Sequence, residues 1–204
     1  GTLLRRNNEG VIVGWLIVTQ ISEEQGWNSN DVRRRNEEIE KVRYGLDIHE
    51  NHLFQLGYPT TKLDIVPLGD LIQKMSDVFN SFHPEEVLIP HYGDVHSDHR
   101  IVFDSVSACT KWFRYPYVKR IMAYESLSET DYNLDPEKHF RPNLYVDIKN
   151  YLDKKVDLLK QYESEISDFP FPRSELSVRA LAQLRGSQSG FLAAEAFQLL
   201  MERT

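Results

Sequence analysis

The sequence predicts an α/β protein with a mostly parallel sheet covered by helices, and three observations support that expectation. Strand-like and helix-like segments alternate along the chain. The run Val11 to Val18 is nearly all apolar, as expected of a strand buried on both faces. A second apolar run, Val87 to Ile89, leads straight into a polar loop and then a helical pattern. Open α/β sheets present their chemistry in this way, at the carboxyl end of a strand.

Taken in order, Gly1 to Arg6 resembles the middle of a helix, and Val11 to Val18 is the first strand. Thr19 to Asn30 is a polar loop at that strand's carboxyl end, where Trp27 is expected either to stack on substrate or to pin its own loop. A helix follows over about Val32 to Leu46, with Val32, Ile39, Val42 and Leu46 on its apolar stripe. Arg35 falls on the same stripe. A permanent charge there needs a carboxylate or an anionic ligand, so both Glu38 and a substrate stand as its partner. His52 to Leu56 predicts a short strand. Leu68 to Phe82 predicts a helix carrying Leu71, Ile72, Met75 and Phe79 inward, ended by His83-Pro84.

Directly after Ile89, three histidines and two aspartates (His91, Asp94, His96, Asp98, His99) fall within nine positions. Pro90 and Gly93 punctuate the loop. Asp98 begins a helix with Val102, Val106, Cys109 and Phe113 at helical spacing. A neutral imidazole is the commonest transition-metal ligand, and carboxylates nearby bind the ion or orient the rings. The bland alternative makes Asp98 a helix cap and the histidines surface or packing residues. Beyond the helix, Val118 to Tyr124 is strand-like and ends at Glu125. Ser126 to Lys138 forms a polar excursion that walls the pocket, and Leu144 to Ile148 predicts a further strand. Leu152, Val156, Leu159 and Tyr162 mark an amphipathic helix, and Phe169 to Ser174 is irregular. Ser174 starts a last helix, and Ala193 to Leu200 packs on the sheet.

Composition narrows the function. A chain of 204 residues with 41% hydrophobic content suits a single domain over residues 1–204, with no linker or low-complexity run. The net charge of -7 argues against a nucleic-acid partner, although Arg33-Arg34-Arg35 remains a local cationic run. The single cysteine, Cys109, excludes an internal disulfide and fits a reducing compartment as a core residue. No segment is long enough for a membrane span and none resembles a signal peptide, so a soluble, cytoplasmic protein is expected.

Several blocks in a fixed order then carry a resemblance. They are Arg35-Asn36-Glu37-Glu38 with Leu46, Asp94-Val95-His96-Ser97-Asp98-His99, Tyr124-Glu125, Arg141-Pro142-Asn143, Tyr162 with Glu165, Pro172-Arg173-Ser174, Arg185-Gly186 and Ala194-Glu195-Ala196-Phe197. From Gly1 to Phe197 the chain resembles the PIG-L (LmbE-like) de-N-acetylase family. That resemblance implies a Rossmann-like three-layer fold and zinc-dependent removal of acetyl groups from N-acetylglucosamine-type sugars or sugar conjugates. It also implies His99 as a Zn2+ ligand, His96 as the histidine that polarises the carbonyl or protonates the leaving amine, and Asp98 as the partner that holds His96 charged. Arg35 matches the substrate-positioning arginine. Asp94, Trp27, Glu125 and Arg173 complete the expected substrate contacts, and Fe2+ is the alternative metal.

The chain departs from the family pattern at its start. The His-Pro-Asp-Asp-Glu signature precedes a Gly-Gly-Thr in the family, and Gly1-Thr2 resembles the end of that segment. Two zinc ligands and the general base would then lie upstream of residue 1, with the first strand. Two expectations follow: a deacetylase whose remaining ligands come from that segment, or a catalytically inactive relative that binds a glycan or protein. A homo-oligomer is compatible with either. A metallophosphatase would suit the aspartates and histidines but not the ordered blocks.

Overall fold

A computed structural model describes residues 1–204, and it is a mixed α/β structure. Six helices, α1 (Thr2–Asn8), α2 (Ser29–Gly45), α3 (Leu68–Phe82), α4 (Ser97–Ala108), α5 (Leu152–Leu159) and α6 (Glu175–Ser189), alternate with six strands. The strands are β1 (Trp15–Gln20), β2 (Leu53–Pro59), β3 (Glu86–Pro90), β4 (Arg120–Tyr124), β5 (Leu144–Asp147) and β6 (Ala194–Glu202). They form a two-stranded sheet, β1-β2, and a four-stranded sheet in the order β3-β4-β6-β5. The contacts gather into two compact units. One comprises residues 1–17, 21–55 and 145–195, and the other residues 18–20, 56–144 and 196–204.

The first unit contains α1, α2, α5 and α6. Helix α2 begins where Asn28 accepts a hydrogen bond from the Asp31 amide, and α6 where Ser174 accepts from the Ser177 amide. Each cap satisfies an amide that the first helical turn leaves without a backbone partner. Ile148, Ala182 and Ala193 form a buried cluster covered by Val146, Tyr151 and Leu152, while Ile39 and Val42 bury the stripe of α2. Gly186 lets α6 approach the turn that follows it, since a Cβ there would lie 2.6 Å from the Phe191 carbonyl oxygen.

In the second unit β3 and β4 pair in parallel, Ile89 opposite Ala123, while β4 and β6 run antiparallel. Helix α3 buries Leu71, Met75 and Phe79 and packs on α4, which packs on β3. Helix α3 stops at His83, whose left-handed φ of 53° breaks the helix just before Pro84. Cys109 is fully buried, and burial pushes its thiol pKa up, as for an unreactive core cysteine.

Three local expectations are corrected. The first strand runs from Trp15 to Gln20 and is half-buried throughout, while Val11 and Ile12 are exposed; a strand paired on one edge only is not enclosed as a central strand is. Phe113 lies beyond the end of α4 and is 62% exposed, because the helix closes at Ala108 and Cys109. The Ala193 to Leu200 segment is not packing on the sheet but a strand of it, antiparallel to β4.

Candidate functional site

Strand β3 delivers the chain to the site loop. Val87 and Ile89 are buried, Pro90 ends the strand, and His91 follows with no exposed surface. The His91 Nε2 pairs with the Lys138 carbonyl oxygen at 2.8 Å, so this histidine fastens the excursion between β4 and β5. Asn133 donates to the same carbonyl at 2.7 Å. Gly93 makes the approach possible, since a Cβ at this position would collide with the Lys138 carbonyl oxygen and meet the His91 ring at 2.7 Å. Arg100, from the first turns of α4, donates to the carbonyls of Asp94 (2.9 Å) and Val95 (2.8 Å) and holds the loop from the other end.

Asp94 sits between these supports and is fully buried. Its Oδ1 accepts from Thr130 Oγ1 at 2.6 Å and its Oδ2 pairs with His99 Nδ1 at 2.8 Å. A carboxylate only accepts, which assigns the ring proton of His99 to Nδ1 and leaves Nε2 with its lone pair. This is the form of an imidazole that binds a metal, oriented by a carboxylate behind it. Burial, with the Asp94 carboxylate adding to it, pushes the phenol of neighbouring Tyr124 up to about 12. Tyr124 therefore stays a neutral wall.

His96 is the N-cap of α4, and its Nδ1 accepts from the Asp98 amide at 3.1 Å. With Nδ1 accepting, a neutral ring carries its proton on Nε2. The rings of His96 and His99 stack, with centroids 5.0 Å apart and planes 20° apart. One ring thus offers a lone pair and its neighbour an N–H. A ring able to ligate and a ring able to donate a hydrogen bond lie side by side.

Two sequence expectations change here. The Asp98 carboxylate does not pair with the His96 ring. It is buried and accepts from the amides of Thr61 (2.7 Å) and Leu63 (3.2 Å). His96 is an extended N-cap residue outside the helix, while the Asp98 carboxylate in its first turn is taken up by these two amides. Asp94 is not a substrate contact either, because it has no exposed surface and both oxygens are engaged within the protein. Sequence reading missed Thr130, a threonine in a polar excursion with no pattern to distinguish it. Glu125 lies half-buried at the end of β4 in this same unit.

The remaining expected contacts belong to the other unit. Arg35 pairs with Glu165 at 2.6 Å, donates to Ser164 Oγ at 3.0 Å, lies 3.5 Å from buried Glu38 and stands 5.3 Å above the Tyr162 ring. Arg173 reaches the other Glu165 oxygen at 3.2 Å and donates to the Glu165 carbonyl at 2.8 Å. Two guanidiniums on one carboxylate hold a planar donor array in place. Trp27 is 45% exposed. The Nε2 of His99, a lone pair on an imidazole oriented by Asp94, has the chemistry of a metal ligand. No three His, Cys, Asp or Glu side chains of the chain converge as a set that could hold an ion.

The fold and this loop define an α/β protein with a histidine pair at the carboxyl end of a parallel strand. The profile of the PIG-L family, described as GlcNAc-PI de-N-acetylase, matches residues 1–110, and the chain belongs to that family. Among solved structures it is similar to the N,N'-diacetylchitobiose deacetylase of Pyrococcus horikoshii, with 19% identity over 98% of this chain and 77% of that one and a TM-score of 0.74. It is similar to the conserved protein TT1542 of Thermus thermophilus, with 21% identity over 100% and 88% of the two chains and a TM-score of 0.74. It is also similar to GalB, the 4-carboxy-2-hydroxymuconate hydratase of Pseudomonas putida, with 16% identity over 100% and 90% and a TM-score of 0.69. At these identities the likeness shows the shared fold, consistent with the Rossmann-like α/β architecture expected from the sequence. No helix is long and apolar enough to cross a membrane.

Proposed function

We propose that the protein is a cytoplasmic, zinc-dependent amide hydrolase that removes the acetyl group from an N-acetylated sugar or glycoconjugate, with Fe2+ as the alternative metal. The observation that supports this most is the buried Asp94 holding His99 in its ligating form beside His96. Family membership and the chitobiose deacetylase among the similar structures point the same way. Zinc, when bound, draws charge from an amide carbonyl and acidifies water.

The chain's own residues then have distinct tasks. His99 offers Nε2 and is kept from rotating by Asp94. As water adds to the acetyl carbon, the His96 Nε2–H donates a hydrogen bond to the group that gains charge, the carbonyl oxygen or the departing nitrogen. The C–N bond breaks as the proton given up by the attacking water passes to the departing nitrogen, which gives acetate and an amino sugar. A positioned donor or proton-transfer group of this kind contributes roughly 10²- to 10⁴-fold in rate. Glu125, half-buried at the end of β4, is the proposed acceptor for sugar hydroxyls. In the other unit, Arg35 and Arg173, fixed by Glu165, present donors suited to an oxygen-rich ligand, and Trp27 a partly exposed ring.

The test uses the full-length protein. Zinc per chain is measured by mass spectrometry, and acetate release is followed on chitobiose-type N-acetylated sugars, with His99→Ala and His96→Ala alongside. The reading expects about one zinc per chain, lost on His99→Ala and retained on His96→Ala, and acetate release lost in both. A protein that holds no metal and releases no acetate overturns it and makes the chain a glycan- or protein-binding module. Metal binding without acetate release overturns the deacetylase assignment and directs attention to water addition, the reaction named for GalB.

A further inference from the structure

We propose that Thr130 is a positioning residue for His99, acting through Asp94, so that the excursion between β4 and β5 sets the state of the ligating imidazole. The proposal rests on the reading of His99 as a metal ligand.

Asp94 has no exposed surface, so water satisfies neither carboxylate oxygen and each depends on a protein donor. The donors are Thr130 Oγ1 on Oδ1 (2.6 Å) and His99 Nδ1 on Oδ2 (2.8 Å). The threonine hydroxyl is itself committed. It accepts from the Ser126 amide at 2.7 Å, which leaves its single proton for Asp94. The turn that carries it is closed by Thr130 N to Ser126 O (2.9 Å) and Glu129 N to Ser126 O (3.1 Å). That turn is fastened to the site loop by Val95 N to Glu129 O at 3.2 Å. An unbroken chain therefore runs from the Ser126 amide through Thr130 and both oxygens of Asp94 to His99.

The direction of the bonds is fixed by the carboxylate at the centre of this chain, which only accepts: Thr130 donates its one proton to Oδ1 while accepting from Ser126 N–H, and His99 must hold its proton on Nδ1. Without the hydroxyl, Oδ1 of a buried carboxylate has no donor, and the carboxylate turns to recover one. His99 then loses a fixed acceptor and begins to populate the Nε2–H tautomer, which cannot ligate. Thr130 touches neither metal nor substrate, and its effect is carried entirely by hydrogen-bond geometry.

The experiment reads the tautomer directly. Long-range proton–nitrogen spectra of the histidines are recorded in mildly alkaline buffer on the full-length, metal-free protein. His99 is assigned from a His99→Gln variant. The expected result is an Nδ1–H tautomer in the parent and in Thr130→Ser, and a shift of roughly tenfold in the tautomer ratio towards Nε2–H in Thr130→Val, the size of one lost hydrogen bond to a charged group. If Thr130→Val does not fold, Thr130→Ala carries the decision, since it removes the hydroxyl and adds no bulk. A His99 spectrum unchanged by loss of the hydroxyl in a folded variant overturns the proposal. In parallel, zinc affinity by chelator competition should fall roughly 10-fold or more in the hydroxyl-less variant and recover in Thr130→Ser. A parent protein that binds no zinc overturns the functional reading instead, and the tautomer measurement still decides the role of Thr130.

Discussion

Asp94 and His99, five positions apart in sequence, meet through Oδ2 and Nδ1 at 2.8 Å, with the carboxylate wholly enclosed and the imidazole 30% exposed. The enclosed partner fixes the orientation and the accessible one is left to react. This division suits the ligand role proposed for His99 better than that of a surface histidine that happens to lie near an acid. It also makes the carboxylate the more informative residue to change.

Asp94→Asn keeps the shape of the side chain and removes its exclusive role as acceptor. The amide can present an N–H to His99 and drive the ring proton to Nε2. Zinc affinity of the full-length protein should fall by about 10- to 100-fold, the usual effect of losing a carboxylate behind a ligating histidine. Chelator competition measures it, and an unchanged affinity would show that His99 is not held through Asp94.

Asp98 has a different task. Its carboxylate receives the amides of Thr61 and Leu63 and so anchors the turn at Leu63–Ile65 to α4. Asp98→Ala leaves the enclosed Leu63 amide without its acceptor, at a cost of about 1–3 kcal/mol, while the amide of exposed Thr61 can turn to water. Urea denaturation should show a midpoint lowered accordingly. A variant of parental stability with lost activity would instead restore the direct catalytic role suggested by the family resemblance.

Much of this site was legible in the sequence, for identifiable reasons. The strand, loop and helix around residues 87–108 follow from an apolar run, Pro90 and Gly93, and a helical repeat of Val102 and Val106. These are local signals, and local signals survive folding. Arg35 was equally readable, because a permanent charge on an apolar stripe demands a partner, and Glu38 lies within reach as expected. What escaped were long-range pairings. Asp98 bonds to amides 37 and 35 positions away, and Thr130 to a carboxylate 36 away. No periodicity records such pairs. The antiparallel placement of β6 beside β4 escaped for the same reason, since strand direction depends on the path of the chain and not on the pattern within the strand.

Gly93 tests how tightly the excursion is seated. A methyl group there has no room beneath the Lys138 carbonyl, which is held by both His91 and Asn133. Backbone cannot yield as a flexible side chain does. Gly93→Ala should displace the segment around Asp135–Lys138 and destabilise the protein by about 1–3 kcal/mol, the range for overpacking a filled site. Hydrogen exchange at the Lys138 amide, which donates to the Asp135 carbonyl at 3.0 Å, should speed up relative to the parent. Parental exchange and stability together would mean that the loop accommodates the methyl group without leaving its seat.

Two tyrosines give the protein a predicted weakness in alkali. Burial, with Asp94 nearby, pushes Tyr124 up to about 12. Burial also pushes Tyr162 up to about 12, against the opposing pull of Arg35 and with Glu38 and Glu165 adding to the rise. An unfolded tyrosine ionises near about 10. Between those values the native chain keeps protons that the unfolded chain has released, so stability falls as pH rises. The contribution of each ring is therefore complete below about pH 10 and lost as pH climbs towards about 12, with an upper bound of about 3 kcal/mol per ring. Urea midpoints at about pH 9 and about pH 11.5 should separate more for the parent than for Tyr124→Phe or Tyr162→Phe, each of which removes one titrating hydroxyl. Equal separations in parent and variants would mean that both phenols ionise in the folded protein as they do in the unfolded chain. Tyr124 could not then serve as a neutral wall beside Asp94.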